Sequence, residues 1–179
     1  MVGMLAIFSL IASTLQESGF TAALANKKEV SHRDYNAVFW FSVLTGCTLY
    51  LLLFFASPLI ASFYEIPELT PLARYSFLGF LISSFGVAQN AYLFRNLMVK
   101  QKSISLIVAL LVSGCVGITM AYFGFAYWGI ATQSIVYIAT INLCYLYFSP
   151  WRPTFNIDFS PIRSMFVFSS KLLLTNIFK

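Results

Sequence analysis

The sequence predicts an all-α membrane protein, built as a bundle of transmembrane helices. Hydrophobic residues make up 59% of the chain and charged residues 9%, whereas a soluble domain carries nearer ~25% charged residues. Three windows contain no Asp, Glu, Lys or Arg: residues 35–64, 75–94 and 103–151. A helix needs about 20 apolar residues to cross a bilayer. The shortest window therefore fits one crossing, and the longest fits two with a turn between them.

The order of apolar and polar segments predicts one transmembrane domain over residues 1–179, with five full spans and the start of a sixth. The spans are expected at residues 1–24, 35–63, 71–93, 103–123, 129–148 and 161–179. Ser31 with Asp34 three residues later predicts a capping box before the second span. Thr70 is expected to cap the third span, with Pro71 at its first helical position. A turn containing Gly124 and Trp128 is expected between the fourth and fifth spans.

The positive charges predict the orientation of these spans. Basic residues cluster in alternate loops, at Lys27, Lys28 and Arg33, at Arg95, Lys100 and Lys102, and at Arg152 and Arg163. This is the positive-inside pattern, which places those loops in the cytoplasm and Met1 on the outer side. We therefore expect a missing preceding span, in a chain that is part of a longer transporter or a truncated product. The same pattern accounts for the net charge of +5. Without a contiguous basic face, a nucleic-acid partner is not expected.

Small residues in the fourth span predict a close helix–helix contact. Ala109, Ser113, Gly117 and Ala121 are spaced four apart, so they share one helical face. Small side chains at this spacing let two helix backbones approach closely. We expect this face to be a packing seam.

Arg74 and Arg95 bracket the third span and are candidates for binding a substrate. On one helix they would share a broad face, with their guanidinium groups about 30 Å apart. In one interpretation each side chain extends to its own membrane interface. In the other, Arg74 lines an outward vestibule and Arg95 an inward one, where both favour an anionic group such as a phosphate.

Two further polar residues are candidates for the same site. Glu17 precedes the basic loop by about two turns. Its carboxylate either reaches the interface or faces a polar cavity, where it would bind a proton, a cation or a sugar. Gln133 lies in the fifth span with three other polar residues, Tyr137, Thr140 and Asn142. These side chains would make hydrogen bonds between helices or contact a sugar.

The sequence offers nothing for covalent chemistry. It has no carboxylate pair within the apolar windows, no HExxH, no GxSxG and no P-loop. Cys47, Cys115 and Cys144 lack metal-ligand spacing and are expected to be packing residues. We expect neither an enzyme nor a bound metal or cofactor.

Several stretches resemble one family of bacterial membrane proteins. They are residues 18–30, Asp34 with 38–41, residues 56–64 with 67–69, residues 149–153 and residues 168–173. Together they resemble the lipopolysaccharide O-unit and colanic-acid-type translocases, within the multidrug/oligosaccharidyl-lipid/polysaccharide flippase superfamily. The similarity covers essentially the whole chain, and the order and spacing of the stretches carry it more than any single motif.

The resemblance implies two bundles of about six spans around a central cavity, of which this chain would be the N-terminal bundle. Alternating access needs two halves that move against each other, so this bundle alone should not transport. The resemblance also implies that cationic cavity residues hold a lipid-linked pyrophosphate and that acidic residues take part in ion coupling. By position, Arg74 and Glu17 are the nearest candidates for these roles.

The function that follows is translocation of an undecaprenyl-diphosphate-linked oligosaccharide repeat across the bacterial inner membrane, for polysaccharide or lipopolysaccharide biosynthesis. The expected partners are this lipid-linked oligosaccharide, membrane lipids, and polysaccharide polymerase or glycosyltransferase proteins. Two alternatives remain open. One is a cation-coupled multidrug exporter of the same superfamily, which should carry more ionisable residues within its spans. The other is a structural subunit of a polysaccharide-assembly complex, or an inactive fragment.

Overall fold

The computed structural model describes Leu24 and residues 30–155. Five α-helices follow one another: α1 (His32–Phe63), α2 (Leu69–Ser84), α3 (Val87–Arg95), α4 (Val99–Tyr122) and α5 (Ala126–Phe148). This part of the chain contains no strand, and the predicted all-α class is confirmed. Helices α1, α4 and α5 are each long and apolar enough to cross a membrane, and α2 with α3 passes the same test as one bent pair. The predicted spans at 1–24 and 161–179 lie outside the described residues, apart from Leu24.

The first helix begins at the predicted capping box. Ser31 is the N-cap, and the Asp34 carboxylate accepts a hydrogen bond from the Ser31 backbone N–H at 2.9 Å. A carboxylate in the first turn also interacts favourably with the helix dipole. The helix has 32 residues and is about 48 Å long. It exceeds a bilayer core of about 30 Å, so it must tilt or project from the core.

Three of the helices end in the same type of turn. The residue after the C-cap is left-handed in each, with φ of 56° at Glu65, 52° at Leu97 and 79° at Gly124. After α4, the Phe125 N–H donates to the Met120 carbonyl at 3.0 Å, as in a Schellman motif. This turn is complete by Phe125. The predicted turn ran on to Trp128, which instead lies within α5.

The second helix begins earlier than its sequence predicts. We expected Thr70 to be the cap, whereas α2 begins at Leu69 with Glu68 as its N-cap. The chain is already wound before Thr70, because the Leu69 N–H donates to the Ile66 carbonyl at 3.0 Å and the Thr70 N–H to the Pro67 carbonyl at 3.2 Å. Pro71 still falls in the first turn, where a missing N–H leaves no helical bond unmade.

The single helix expected over residues 71–93 is instead two helices. α2 ends at Ser84 and α3 begins at Val87, with a bend of 44° between them. At the break the Gly86 N–H donates to the Ser83 carbonyl at 3.0 Å, which is the tighter i→i+3 bond that closes many helix ends. Arg74 and Arg95 therefore lie on two different helices, α2 and α3. The face that they were predicted to share on a single helix does not exist.

The helices pack in one layered bundle. α1 packs along α2, α4 packs along α5, and α5 also contacts α2. The centre of the first contact is a buried apolar cluster that includes Leu69, Leu72 and Phe77, each with no exposed surface. α1 and α2 approach closely at Gly46, where an added Cβ would lie 2.7 Å from the Ser84 Cβ.

After α5 the chain turns back onto the start of α1. The Trp40 indole N–H donates to the Thr154 carbonyl at 2.8 Å, and the Thr154 N–H donates to Asn36 Oδ1 at 2.9 Å. Trp151 is buried in a second apolar cluster with Tyr35 and Phe39, among others. These contacts join the first and last described helices at the basic end of the bundle.

Candidate functional site

Arg74 meets α1 where that helix is interrupted by a proline. Pro58 has no N–H, so the carbonyl of Phe54, four residues earlier, loses its helical donor. The Ser57 hydroxyl donates to this carbonyl at 2.7 Å. Arg74 Nε in turn donates to the Ser57 hydroxyl at 3.1 Å. The proline thus creates a polar point in an apolar helix, and α2 supplies its cationic partner.

A second contact holds the arginine in place. The guanidinium carbon of Arg74 lies 4.2 Å from the centre of the Phe54 ring, within cation–π range. Ser57 is fully buried, while Arg74 remains partly accessible. The terminal nitrogens of the Arg74 guanidinium have no hydrogen-bond partner within the described part of the chain. An arginine fixed by one nitrogen and one ring face, with its terminal nitrogens available, is suited to binding an oxyanion.

Arg95 occupies a different environment at the end of α3. Its Nη1 donates to the carbonyl of Leu24 at 2.8 Å, and the Leu24 side chain is fully buried. The guanidinium therefore ties α3 to the preceding part of the chain. Its predicted role in an inward vestibule stays a prediction.

The small residues of α4 lie along α5, but not all are buried. Ala109 and Ser113 are 0% and 2% exposed, whereas Ala121 is exposed. At Gly117 an added Cβ would lie 2.7 Å from Gln133 Oε1, so Gln133 of α5 lies across this glycine. The structure brings Gln133 to the small-residue face, with no hydrogen bond to any described residue. Glu17, the remaining candidate, lies outside the described residues.

The break between α2 and α3 is supported by a side chain of α5. Asn142 Nδ2 donates to the Ile82 carbonyl at 2.6 Å, and an added Cβ at Gly86 would lie 1.9 Å from Asn142 Oδ1. Gly86 therefore provides the space in which the asparagine approaches the backbone of the break. A second polar contact between the same helices joins the Tyr75 and Thr132 hydroxyls at 3.2 Å.

A groove of about 520 Å³ opens beside this break. Its walls come from α1, α2, α3, α5 and the segment after α5, and they are almost entirely apolar. Gln89 of α3 lines the groove and is 1% exposed. Its Oε1 is buried without a hydrogen-bond partner among the described residues. Since a broken helix in a membrane is tolerated where it is covered by protein or lines a cavity, the break and the groove together form a candidate site.

Comparison with known proteins decides the family. A family profile described as polysaccharide biosynthesis protein matches residues 1–179. The chain belongs to this family. The resemblance inferred from the sequence is thereby confirmed, and the apolar helices of the bundle identify this family member as a membrane protein.

Two curated relatives of the family are similar to this chain. The teichuronic acid biosynthesis protein TuaB of Bacillus subtilis is 27% identical over 165 residues, which cover 90% of this chain and 34% of the relative. The lipopolysaccharide biosynthesis protein WzxC of Escherichia coli is 27% identical over 127 residues, which cover 70% of this chain and 25% of the relative. The chain therefore spans about a third of the length of one relative and a quarter of the other. No solved structure matches it.

Sequence reasoning missed three residues that build these sites in this family member. Ser57 and Gln89 were not singled out, and Asn142 was named only as one of several polar residues in its span. A sequence signal was present for two of them. Ser57 directly precedes a proline within an apolar run, and Gln89 follows a mid-span glycine by three residues. Asn142 pairs across the bundle with that same region, and a partner so distant in sequence leaves no local pattern.

Proposed function

We propose that this chain is part of a transporter, rather than an enzyme, that moves an undecaprenyl-diphosphate-linked oligosaccharide repeat across the bacterial inner membrane for polysaccharide or lipopolysaccharide biosynthesis. Its family, and relatives named for teichuronic acid and lipopolysaccharide biosynthesis, support this role. The apolar helices support a role in a membrane. The sugars would cross through a polar path while the lipid chain stays in the bilayer. A polysaccharide polymerase or glycosyltransferase would be a partner.

The arrangement of Arg74 carries this proposal. It is the only basic residue between Asp34 and Arg95. It also lies about 8 Å along α2 from the start of that helix, within the pair of helices that passes the test for a membrane span. Its Nε and one ring face are held by Ser57 and Phe54, which leaves the terminal nitrogens for a ligand. A diphosphate is a ligand that such a pre-organised guanidinium favours.

The other candidate residues take secondary parts in the proposal. Arg95 would contribute to an inward-facing anion site, Glu17 to ion coupling, and Gln133 to sugar contacts. The small residues Ala109, Ser113, Gly117 and Ala121 would act through helix packing. Because alternating access requires two halves of a transporter, the test belongs in the complete gene product.

The experiment replaces Arg74 by Gln in the full-length gene, in a strain that lacks the chromosomal copy. Lipid-linked oligosaccharide on the inner leaflet and polysaccharide at the cell surface are measured together. We expect Arg74→Gln to raise the first and lower the second by about tenfold, the effect of losing a charge-assisted hydrogen bond of about 1.4 kcal/mol. Arg74→Lys should restore only part of the activity, because an ammonium cannot form a bidentate contact.

Lys100→Gln is the matched control. Lys100 is an exposed basic residue in the first turn of α4, and its loss should leave both readouts unchanged at equal protein level. If deletion of the locus neither accumulates the lipid-linked repeat nor reduces surface polysaccharide, the proposal is wrong and a drug exporter becomes the better assignment. If deletion does both but Arg74→Gln does neither, the anion site lies elsewhere. Export that survives Arg74→Gln and Glu17→Gln, yet fails when the α4 face is altered, would indicate a structural subunit.

A further inference from the structure

The turn between α3 and α4 presents large apolar side chains away from the bundle. Phe94, Leu97 and Val99 are 53%, 81% and 65% exposed, and Asn96 between them is exposed as well. Neighbouring apolar side chains rimmed by polar ones are typical of surfaces that contact a membrane or another protein. Residues 94–99, called the α3–α4 turn below, are therefore a candidate interaction surface.

The backbone of this turn favours glycine at the position that Leu97 occupies. Leu97 has a φ of 52° and follows the C-cap Asn96, where a Cβ atom is strained. The Met98 N–H donates to the Leu93 carbonyl at 2.9 Å, which completes a Schellman motif. After α4 the equivalent left-handed position is Gly124. A strained residue with an exposed side chain points to a function for that side chain.

Contacts of the preceding turn of α3 place this surface at the basic end of the bundle. The Tyr92 ring lies 5.4 Å from the Tyr35 ring at the start of α1, measured between ring centres. The described residues at this end carry five basic side chains and one acidic one: Arg33, Arg95, Lys100, Lys102 and Arg152, against Asp34. Exposed apolar surface next to an excess of positive charge is complementary to an anionic membrane surface.

Lys102 brings a positive charge to the apolar side chains of the turn. Its Nζ lies 5.3 Å from the centre of the Phe94 ring, within cation–π range. The charge-free stretch that follows, residues 103–122, is about 30 Å long as a helix, which matches the thickness of a bilayer core. With that stretch in the core, Lys102 lies at the edge of the core and the α3–α4 turn lies at the depth of the lipid headgroups.

We propose that the α3–α4 turn is an interfacial anchor, which inserts into the headgroup layer of an anionic membrane surface instead of projecting into water. Phe94, Leu97 and Val99 contact the upper parts of the lipid chains. Lys102 donates a charge-assisted hydrogen bond to a lipid phosphate. This surface is separate from Arg74 and from the groove at the α2–α3 break, so it does not depend on what the transporter carries.

A spin label in the turn measures its depth. The nitroxide is attached at Leu97→Cys in a cysteine-free form of the complete gene product, reconstituted in vesicles of palmitoyl-oleoyl phosphatidylglycerol. We expect the label to collide more often with oxygen, which concentrates in the bilayer, than with a neutral water-soluble nickel chelate. A label at Glu68→Cys is the control and should show the opposite ratio, because that position is exposed in the acidic turn between α1 and α2. Access of nickel above that of oxygen at Leu97→Cys would show a turn in water, low access of both would indicate a protein partner, and either result would overturn the proposal.

Lipid selectivity at the same position tests the role of Lys102. A fluorophore replaces the nitroxide at Leu97→Cys, in vesicles of equal parts phosphatidylglycerol and phosphatidylcholine, and one of the two lipids carries a quencher. We expect phosphatidylglycerol to quench more than phosphatidylcholine, with a preference that weakens at high salt. Lys102→Gln should lower this preference about fivefold, the effect of one charge at a membrane surface, while Lys102→Arg should keep it. Equal quenching by the two lipids, or an unchanged preference in Lys102→Gln, would contradict the proposal.

Discussion

At the scale of single residues, this protein uses polar side chains to satisfy backbone carbonyls that lack a regular helical partner. Ser57 bonds the Phe54 carbonyl that Pro58 leaves open. Asn142 bonds the Ile82 carbonyl at the break between α2 and α3, where that carbonyl otherwise accepts only the shorter-range bond from the Phe85 N–H. Within a bilayer no water is available for this, so each unsatisfied carbonyl is expensive. Ser57 and Asn142 therefore have structural roles that the hydropathy of the sequence does not reveal.

The first residue-scale prediction concerns Ser57. Ser57→Ala removes the donor to the Phe54 carbonyl and the acceptor for Arg74 Nε at once. Because the Phe54 carbonyl and Arg74 Nε then lose that partner in a partly buried contact, we expect the free energy of unfolding to fall by about 1–3 kcal/mol. Unfolding in mixed SDS and detergent micelles measures this change. Ser134→Ala is the control, since the exposed Ser134 hydroxyl bonds only the Ile130 carbonyl of its own helix. Equal effects of the two substitutions would show that the contact with Arg74 contributes nothing.

The role of Arg74 was only partly predictable from the sequence. This arginine became a candidate because it brackets the third predicted span together with Arg95, and that observation required no structure. Its restraint by Ser57 and Phe54 depends on how α1 and α2 pack. The contact joins residues 17 positions apart across a turn, which no local pattern encodes.

At the scale of helices, the division of one predicted span into α2 and α3 is the main departure from the sequence-based expectation. Residues 71–93 are mostly apolar, with Arg74 as the one charged residue and no proline after Pro71, so the sequence predicts one helix. The break occurs at Phe85 and Gly86, where glycine allows Asn142 to approach the backbone. A tertiary contact therefore decided the path of this segment.

The prediction at this scale compares two glycines. Gly86→Ala places a methyl group 1.9 Å from the present position of Asn142 Oδ1, so the asparagine must move and its bond to Ile82 is strained or lost. We expect a loss of about 1–3 kcal/mol in the free energy of unfolding. Gly114→Ala, within α4, meets open space and should be neutral or stabilising by about 0.5–1 kcal/mol. The same SDS titration distinguishes them. A neutral Gly86→Ala would mean that Asn142 does not hold the break.

At the scale of the whole molecule, the two ends of the bundle differ in charge. The turn between α1 and α2 carries Glu65 and Glu68, whereas the opposite end carries the basic residues. The segment after α5 also packs against the start of α1 at the basic end. The positive-inside rule predicts that this end faces the cytoplasm.

Cysteine labelling in intact cells tests this orientation. In a background with Cys47, Cys115 and Cys144 replaced by Ala, a membrane-impermeant maleimide should label Glu68→Cys, because that position is exposed at the acidic end. Lys100→Cys should be labelled only after the cells are permeabilised, because it is exposed at the basic end. The opposite result would invert the topology and place Arg74 near the cytoplasmic surface.

The sequence by itself determined the membrane class, the helical content, the family and the isolation of Arg74. These follow from composition, charge-free windows and motif order, which are local properties of the chain. Only the tertiary structure decided the bend between α2 and α3, the restraint of Arg74 by Ser57, and the groove around Gln89. Each of these features depends on contacts between residues that lie far apart in the sequence. The packing of the helices determines such contacts, and the periodicity of apolar residues does not.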